Sequence, residues 1–163
     1  MYRFLSYIKY WFRATNQHGI HSPFVYDFVT KGLYLKSSKD RFDIKEFQQF
    51  GLTKKEQQLL RKVFEYFQIE LEIKEINTET FSLDKFHKKQ YYSNLNNIDL
   101  EEIINTKAIE FIICKGIHND EVSFEKWTKL CAISQATVTI DLFYFGLVFF
   151  RAEQRKEHFV IRI

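Results

Sequence analysis

The chain is 163 residues long, 45% hydrophobic and 28% charged, which places it among globular domains and argues against a disordered chain. Its 24 basic and 21 acidic residues leave a net charge of +3, too near balance to imply by itself nucleic acid or an anionic surface as partner. Eighteen Phe, nine Tyr and two Trp predict an aromatic core, and one Pro with five Gly leaves little flexible linker.

At 100° per residue, Phe4, Leu5, Ile8, Trp11 and Phe12 fall within about 120° of arc, with Ser6, Lys9 and Arg13 opposite. This predicts an amphipathic helix. Two readings stand. The helix covers the protein's own core, the ordinary meaning of such a pattern, or it lies in a membrane interface with its basic residues on the polar face. Lys9 and Arg13 interrupt the apolar run and no cleavage-site pattern follows, which argues against a signal peptide. No stretch approaches the ~20 apolar residues of a bilayer span. A cytoplasmic location is the expectation.

Ser22 followed by Pro23 predicts a helix start, the hydroxyl capping free N–H groups and the proline taking the first helical position. Phe24, Val25, Phe28 and Val29 supply its buried stripe, with Gly32 near its end. His18 and His21 have HxxH spacing, but metal sites usually need three or four ligands and no further cluster accompanies them, so a structural turn is favoured. Residues 36–50 look like a connector. Thr53 and Glu56 form a capping box for a helix with Leu59, Leu60, Val63, Phe64 and Phe67 on its apolar face.

Ile69, Leu71 and Ile73 alternate with charged residues, as in a strand with one wet face. Lys85, Lys88 and Lys89 near Tyr91 and Tyr92 could bind single-stranded nucleic acid by charge and stacking, or form a solvated helix face, the favoured reading. Leu100, Ile103 and Ile104 suggest a short helix. Ala108 to Cys114 reads as a buried parallel strand, and Phe124, Trp127, Leu130 and Cys131 recur at helical spacing. Cys114 and Cys131 read as buried free thiols. The last third is β-structured. Val138, Ile140 and Leu142 alternate with polar residues, Leu147–Phe150 is apolar on both faces, and Phe159, Ile161 and Ile163 alternate again. The first two of these strands are expected to pair antiparallel around Tyr144–Gly146.

Two blocks resemble one family. His18-Gly19-Ile20-His21-Ser22-Pro23-Phe24 is similar to the amino-terminal helical segment of class I S-adenosylmethionine-dependent methyltransferases of Bacteroidetes. Val138–Asp141 through Gly146–Arg151, ending in His158-Phe159, resembles the closing strands of the same group. With the Leu59–Phe67 helix, the likeness covers roughly half of the chain. It implies an α/β fold: a reduced Rossmann-like methyltransferase sheet of about five strands, mixed, with an antiparallel C-terminal hairpin. Residues 1–35 would be an N-terminal helical extension and 53–163 the core of a single domain.

The middle departs from the family's pattern. Glu75, Asn77 and Thr78 stand where the resemblance places a cofactor turn, but Asn77 and Phe81 replace its glycines. At the next strand end, Gly116 and His118 match while Lys115 replaces a carboxylate. Glu75, Asn77, Thr78 and Gly116 are therefore vestigial cofactor-binding candidates. His118 with Asp120 and Glu121 is the best remaining polar constellation, as general base or metal ligands. The favoured alternative is that Asn119 or Asp120 caps the following helix, a preferred role for these residue types.

The expected function is that of a catalytically silent methyltransferase-fold protein acting as a binding or assembly module. It would need no cofactor, and its partner would be another protein or a second copy. The alternatives are an active S-adenosylmethionine-dependent methyltransferase with an altered pocket, and a nucleic-acid-binding module.

Overall fold

The computed structural model describes residues 1–35, 51–69, 90–105 and 109–163. The expected Ile69–Ile73 strand beyond Ile69, the candidates Glu75, Asn77 and Thr78, and also Phe81, Lys85, Lys88 and Lys89 lie outside them. The described residues belong to two compact units. One holds residues 1–15 and the chain from residue 90 to 162; the other holds 16–35 and 51–69.

The second unit is helical. Pro23 sits in the first turn of α2 (Pro23–Asp27), which continues as a π-helical turn over Phe28–Leu33. The Ser22 hydroxyl, expected to cap this helix, makes no cap bond and is buried without a partner among the described residues. Val25, Phe28 and Val29 are buried as expected. They pack toward α3 (Lys54–Phe67), with Phe28 5.0 Å from the Phe67 ring centre. Gly32 is where the two helices approach, since a Cβ there would lie 3.0 Å from the Tyr66 ring. The Thr53–Glu56 capping box forms in both directions, Thr53 N–H donating to Glu56 at 2.8 Å. α3 ends at Gln68, whose left-handed φ of 53° breaks the helical repeat.

The first unit is a five-stranded mixed sheet with helices, an α/β arrangement. Its described strands are β1 (Gln90–Asn94), β2 (Phe111–Lys115), β3 (Val138–Asp141), β4 (Phe145–Phe149) and β5 (Glu157–Val160), in the order β1-β2-β4-β3-β5. β1 runs parallel to β2 and β5 parallel to β3; β4 lies antiparallel between β2 and β3. Four strands therefore point the same way and share one carboxyl edge. The β3–β4 hairpin is the antiparallel pair anticipated around Tyr144–Gly146. Its turn puts Phe143 at a left-handed φ of 63°, a strain that the Asp141 carboxylate offsets by accepting the Phe143 N–H at 2.8 Å.

Tyr91 and Tyr92 belong to strand β1 rather than to a solvated helix, and Tyr92 lies 6.4 Å from the Phe145 ring. β2 is buried as expected but parallel on one side only, because the antiparallel β4 fills the other. α4 (Leu100–Asn105) and α5 (Glu121–Ala132) are the helices foreseen from Leu100–Ile104 and Phe124–Cys131. Trp127 and Leu130 of α5 join Ile103, Ile112, Cys114 and Val148 in one apolar cluster. Gly146 lets Trp127 lie against β4, since a Cβ there would sit 2.5 Å from the indole. No helix among the described residues is long and apolar enough to cross a membrane.

The largest departure from expectation is α1 (Tyr2–Arg13). Its apolar stripe does not cover the core. Phe4 is 67% exposed and Phe12 78%, and Leu5, Ile8 and Trp11 are also exposed, while the buried residues are Ser6 and Tyr10. The helix is turned half a revolution from the ordinary arrangement. Its inner face instead carries Ser6 and packs Tyr10 and Ala14 against Phe143.

His158 on β5 carries a pH prediction. Its ring is hydrogen-bonded to the Thr139 hydroxyl at 2.8 Å. Burial, its main perturbation, holds its pKa below the ordinary value; Asp141 opposes this and Arg13 adds to it. The folded state therefore resists protonation that the unfolded chain accepts near pH 6.5. This contribution is fully present above that pH and is lost as pH falls toward the depressed folded value. Urea midpoints at pH 7 and pH 5.5 should differ less in His158→Gln than in the parent, and an unchanged difference would count against the assignment.

Candidate functional site at the carboxyl edge of the sheet

Ligands in open α/β sheets sit beyond the carboxyl ends of the strands. Here that edge is built from the loop after β2, the end of β3 and the residues after β5. Gly116 ends β2 with a left-handed φ of 83°, which a side chain rarely adopts, and a Cβ there would meet the Asn119 amide at 2.6 Å. Its N–H donates to the Tyr144 carbonyl at 3.3 Å, tying the loop to the β3–β4 hairpin. The sharp turn drives the His118 ring inward, where it is 4% exposed.

His118 does not partner the carboxylates beside it in sequence. Asp120 is the N-cap of α5, accepting the Ser123 N–H at 2.7 Å. The bonds from the Ser123 backbone, then from its hydroxyl, hold the Asp120 carboxyl below its ordinary range. Glu121 is exposed in the first helical turn, a favourable place for a negative charge. The capping alternative is the observed one. The candidate His118–Asp120–Glu121 constellation does not assemble, because helix initiation takes Asp120 and the left-handed turn takes His118 the other way.

The partner of His118 is Asp141, at the carboxyl end of β3. His118 Nε2 lies 2.7 Å from Asp141 Oδ2, and Nδ1 lies 2.6 Å from the Ser6 hydroxyl of α1. An ionised carboxylate only accepts, so Nε2–H donates to Asp141, and in the neutral imidazole Nδ1 accepts the Ser6 O–H. Phe143 stacks on the imidazole with centres 4.9 Å apart and planes 19° apart, and Phe124 flanks it at 4.9 Å. The Tyr10 ring stands at 6.0 Å, and its hydroxyl donates to the Ile161 carbonyl after β5. Arg162 donates to the carbonyls of Trp11 and Ala14, both at 3.1 Å, closing the carboxyl end of α1. The helix thus lies across the carboxyl edge from the β2 loop to the end of β5.

Serine, histidine and aspartate are the residue types of an acyl-transfer triad. Here the arrangement does not present a nucleophile. Ser6 is 8% exposed, on the inner face of a helix pressed onto the ring that would activate it. An attacking oxygen needs its target at about 3 Å in an aligned approach, and the inner side of the hydroxyl is occupied by His118. What this chain of bonds does is fasten α1 to two strand ends. The cysteines are poor nucleophiles as well, since burial raises both thiols, Cys131 to about 12. Cys114 is buried as expected, whereas Cys131 is only half-buried. His18 and His21 are exposed in the other unit, with His18 against the Gln17 amide at 3.4 Å. No group of three His, Cys, Asp or Glu among the described residues is placed to hold a metal.

Ser6, Asp141 and Phe143 are the site residues that sequence reasoning passed over. Asp141 carried a signal, being the lone charge between Ala136 and Phe150 and standing at a strand end. Comparison with protein-family models, curated proteins and solved structures finds no match for this chain.

Proposed function

We propose that this protein is a catalytically silent, methyltransferase-like α/β scaffold that works as a binding or assembly module through the outward face of α1. The observation that carries the reading is the position of α1 over the carboxyl edge, where a ligand of such a sheet would sit. The mixed five-stranded sheet with a C-terminal antiparallel hairpin agrees with what the resemblance implies.

The described half of the implied S-adenosylmethionine site does not fit the cofactor. Lys115 stands where a carboxylate is expected, the His118 ring is bonded on both nitrogens, and the Phe124 and Phe143 rings each lie 4.9 Å from it. No catalytic step follows from these residues.

The exposed aromatic surface belongs to α1 and not to a bare sheet, since β3 and β4 are buried throughout. Titration calorimetry with S-adenosylmethionine should show no heat. Micromolar binding that is lost on changing Glu75 or His118 would overturn the silent reading and establish the active methyltransferase instead.

A further inference from the structure

The outward face of α1 carries six large side chains, Phe4, Leu5, Tyr7, Ile8, Trp11 and Phe12, with exposures from 38% at Ile8 to 78% at Phe12. Tyr7, Ile8, Trp11 and Phe12 line a shallow depression of about 250 Å³. The face cannot be hidden by rolling the helix over. That would break the Ser6–His118 and Tyr10–Ile161 bonds. Exposed contiguous apolar surface of this kind marks an interaction site.

Charge identifies the occupant. α1 holds Arg3, Lys9 and Arg13 and no acidic residue, although the chain as a whole is nearly balanced. On the helical wheel the apolar arc spans about 160°, with Lys9 about 40° beyond Leu5 on one flank and Arg3 about 40° beyond Tyr7 on the other. Both basic residues are exposed. Arg162 adds a guanidinium 4.5 Å over the Trp11 ring.

Long basic side chains on both flanks of an apolar, Trp- and Tyr-bearing face reach the headgroup level while that face enters the acyl boundary. A second copy fits poorly, because a two-fold contact through this face sets the same cations of both copies along one seam. At 12 residues the helix is about 18 Å long, shorter than the ~30 Å hydrocarbon core, so it lies in the plane of the interface.

We infer that α1 seats this protein on an anionic membrane surface, its apolar face in the acyl–headgroup boundary and Arg3 and Lys9 against the lipid phosphates. The inference rests on the reading of this face as the docking surface and names what docks there. Trp11 is an internal reporter, since the other tryptophan, Trp127, is 1% exposed in the core.

The test is flotation of the full chain with phosphatidylcholine vesicles, with and without phosphatidylserine, while tryptophan emission is followed. Binding is expected only with phosphatidylserine, with a blue shift, and should weaken as salt rises. Ile8→Ser combined with Phe12→Ser should weaken it on the order of 100-fold, by loss of apolar burial. Lys9→Gln and Arg3→Gln should each cost about fivefold. All four side chains are exposed, so circular dichroism should show these variants folded.

Equal binding to neutral vesicles, or binding indifferent to Ile8→Ser with Phe12→Ser, overturns the proposal. Absence of vesicle binding, with a dimer that the same variant dissociates in light scattering, overturns the lipid surface but keeps the docking face. A monomer that binds no vesicle overturns both.

Discussion

Replacing His118 with alanine should lower the free energy of unfolding by about 3–5 kcal/mol, because it strands the Asp141 carboxylate in the interior. That carboxylate is 3% exposed, and among its bonds described above only that from the Phe143 N–H at 2.8 Å would remain. A domain has roughly 5–15 kcal/mol in all, so the loss is a large fraction. Ser6→Ala removes one bond without exposing a charge and should cost about 1 kcal/mol.

Urea denaturation checks both values, and amide exchange of α1 should speed up in either variant as its anchor is lost. The comparison separates a fastening from a reactive site. A His118→Ala protein with an unchanged urea midpoint would mean that the Ser6–His118–Asp141 chain does not hold the helix, and the silent reading would lose its structural basis.

Trp127→Ala should be comparably damaging, at about 3–5 kcal/mol, since it empties the centre of the cluster between α5 and the sheet. Gly146→Ala attacks the same contact from the other side. Its methyl would start 2.5 Å from the indole, and overpacking of this kind costs about 1–3 kcal/mol. The two changes should not add. With the indole gone, the new methyl enters vacated space, so the double variant should be more stable than the sum predicts, with coupling of about 0.5–3 kcal/mol. Additive losses in the same denaturation series would show that Gly146 is required for a reason other than the ring.

Legibility in the sequence followed the range of the forces involved. The Thr53–Glu56 box, the α5 periodicity and the β3–β4 hairpin were readable because each depends on residues a few positions apart. β1 was not recognised. Its partner β2 lies beyond α4, and nothing local in Gln90–Asn94 distinguishes a strand from a polar helix face. The candidate site was half readable. Gly116 and His118 were found as a strand-end pair, but the carboxylate that completes the site comes from 23 residues further on and the hydroxyl from 112 residues earlier.

The sequence alone determined the α/β character of the sheet-bearing unit, the helix boundaries set by caps, and the amphipathic nature of α1, since periodicity and capping are short-range. Only the tertiary structure decided which face of α1 points inward. Hydrophobic patterning orients a helix when nothing else competes. Here Ser6 bonds the His118 ring and Tyr10 bonds the Ile161 carbonyl while packing with Ala14 against Phe143, and the rotation that makes these contacts leaves the apolar stripe outward. That choice closes the edge of the sheet and opens the surface on which the proposed function rests.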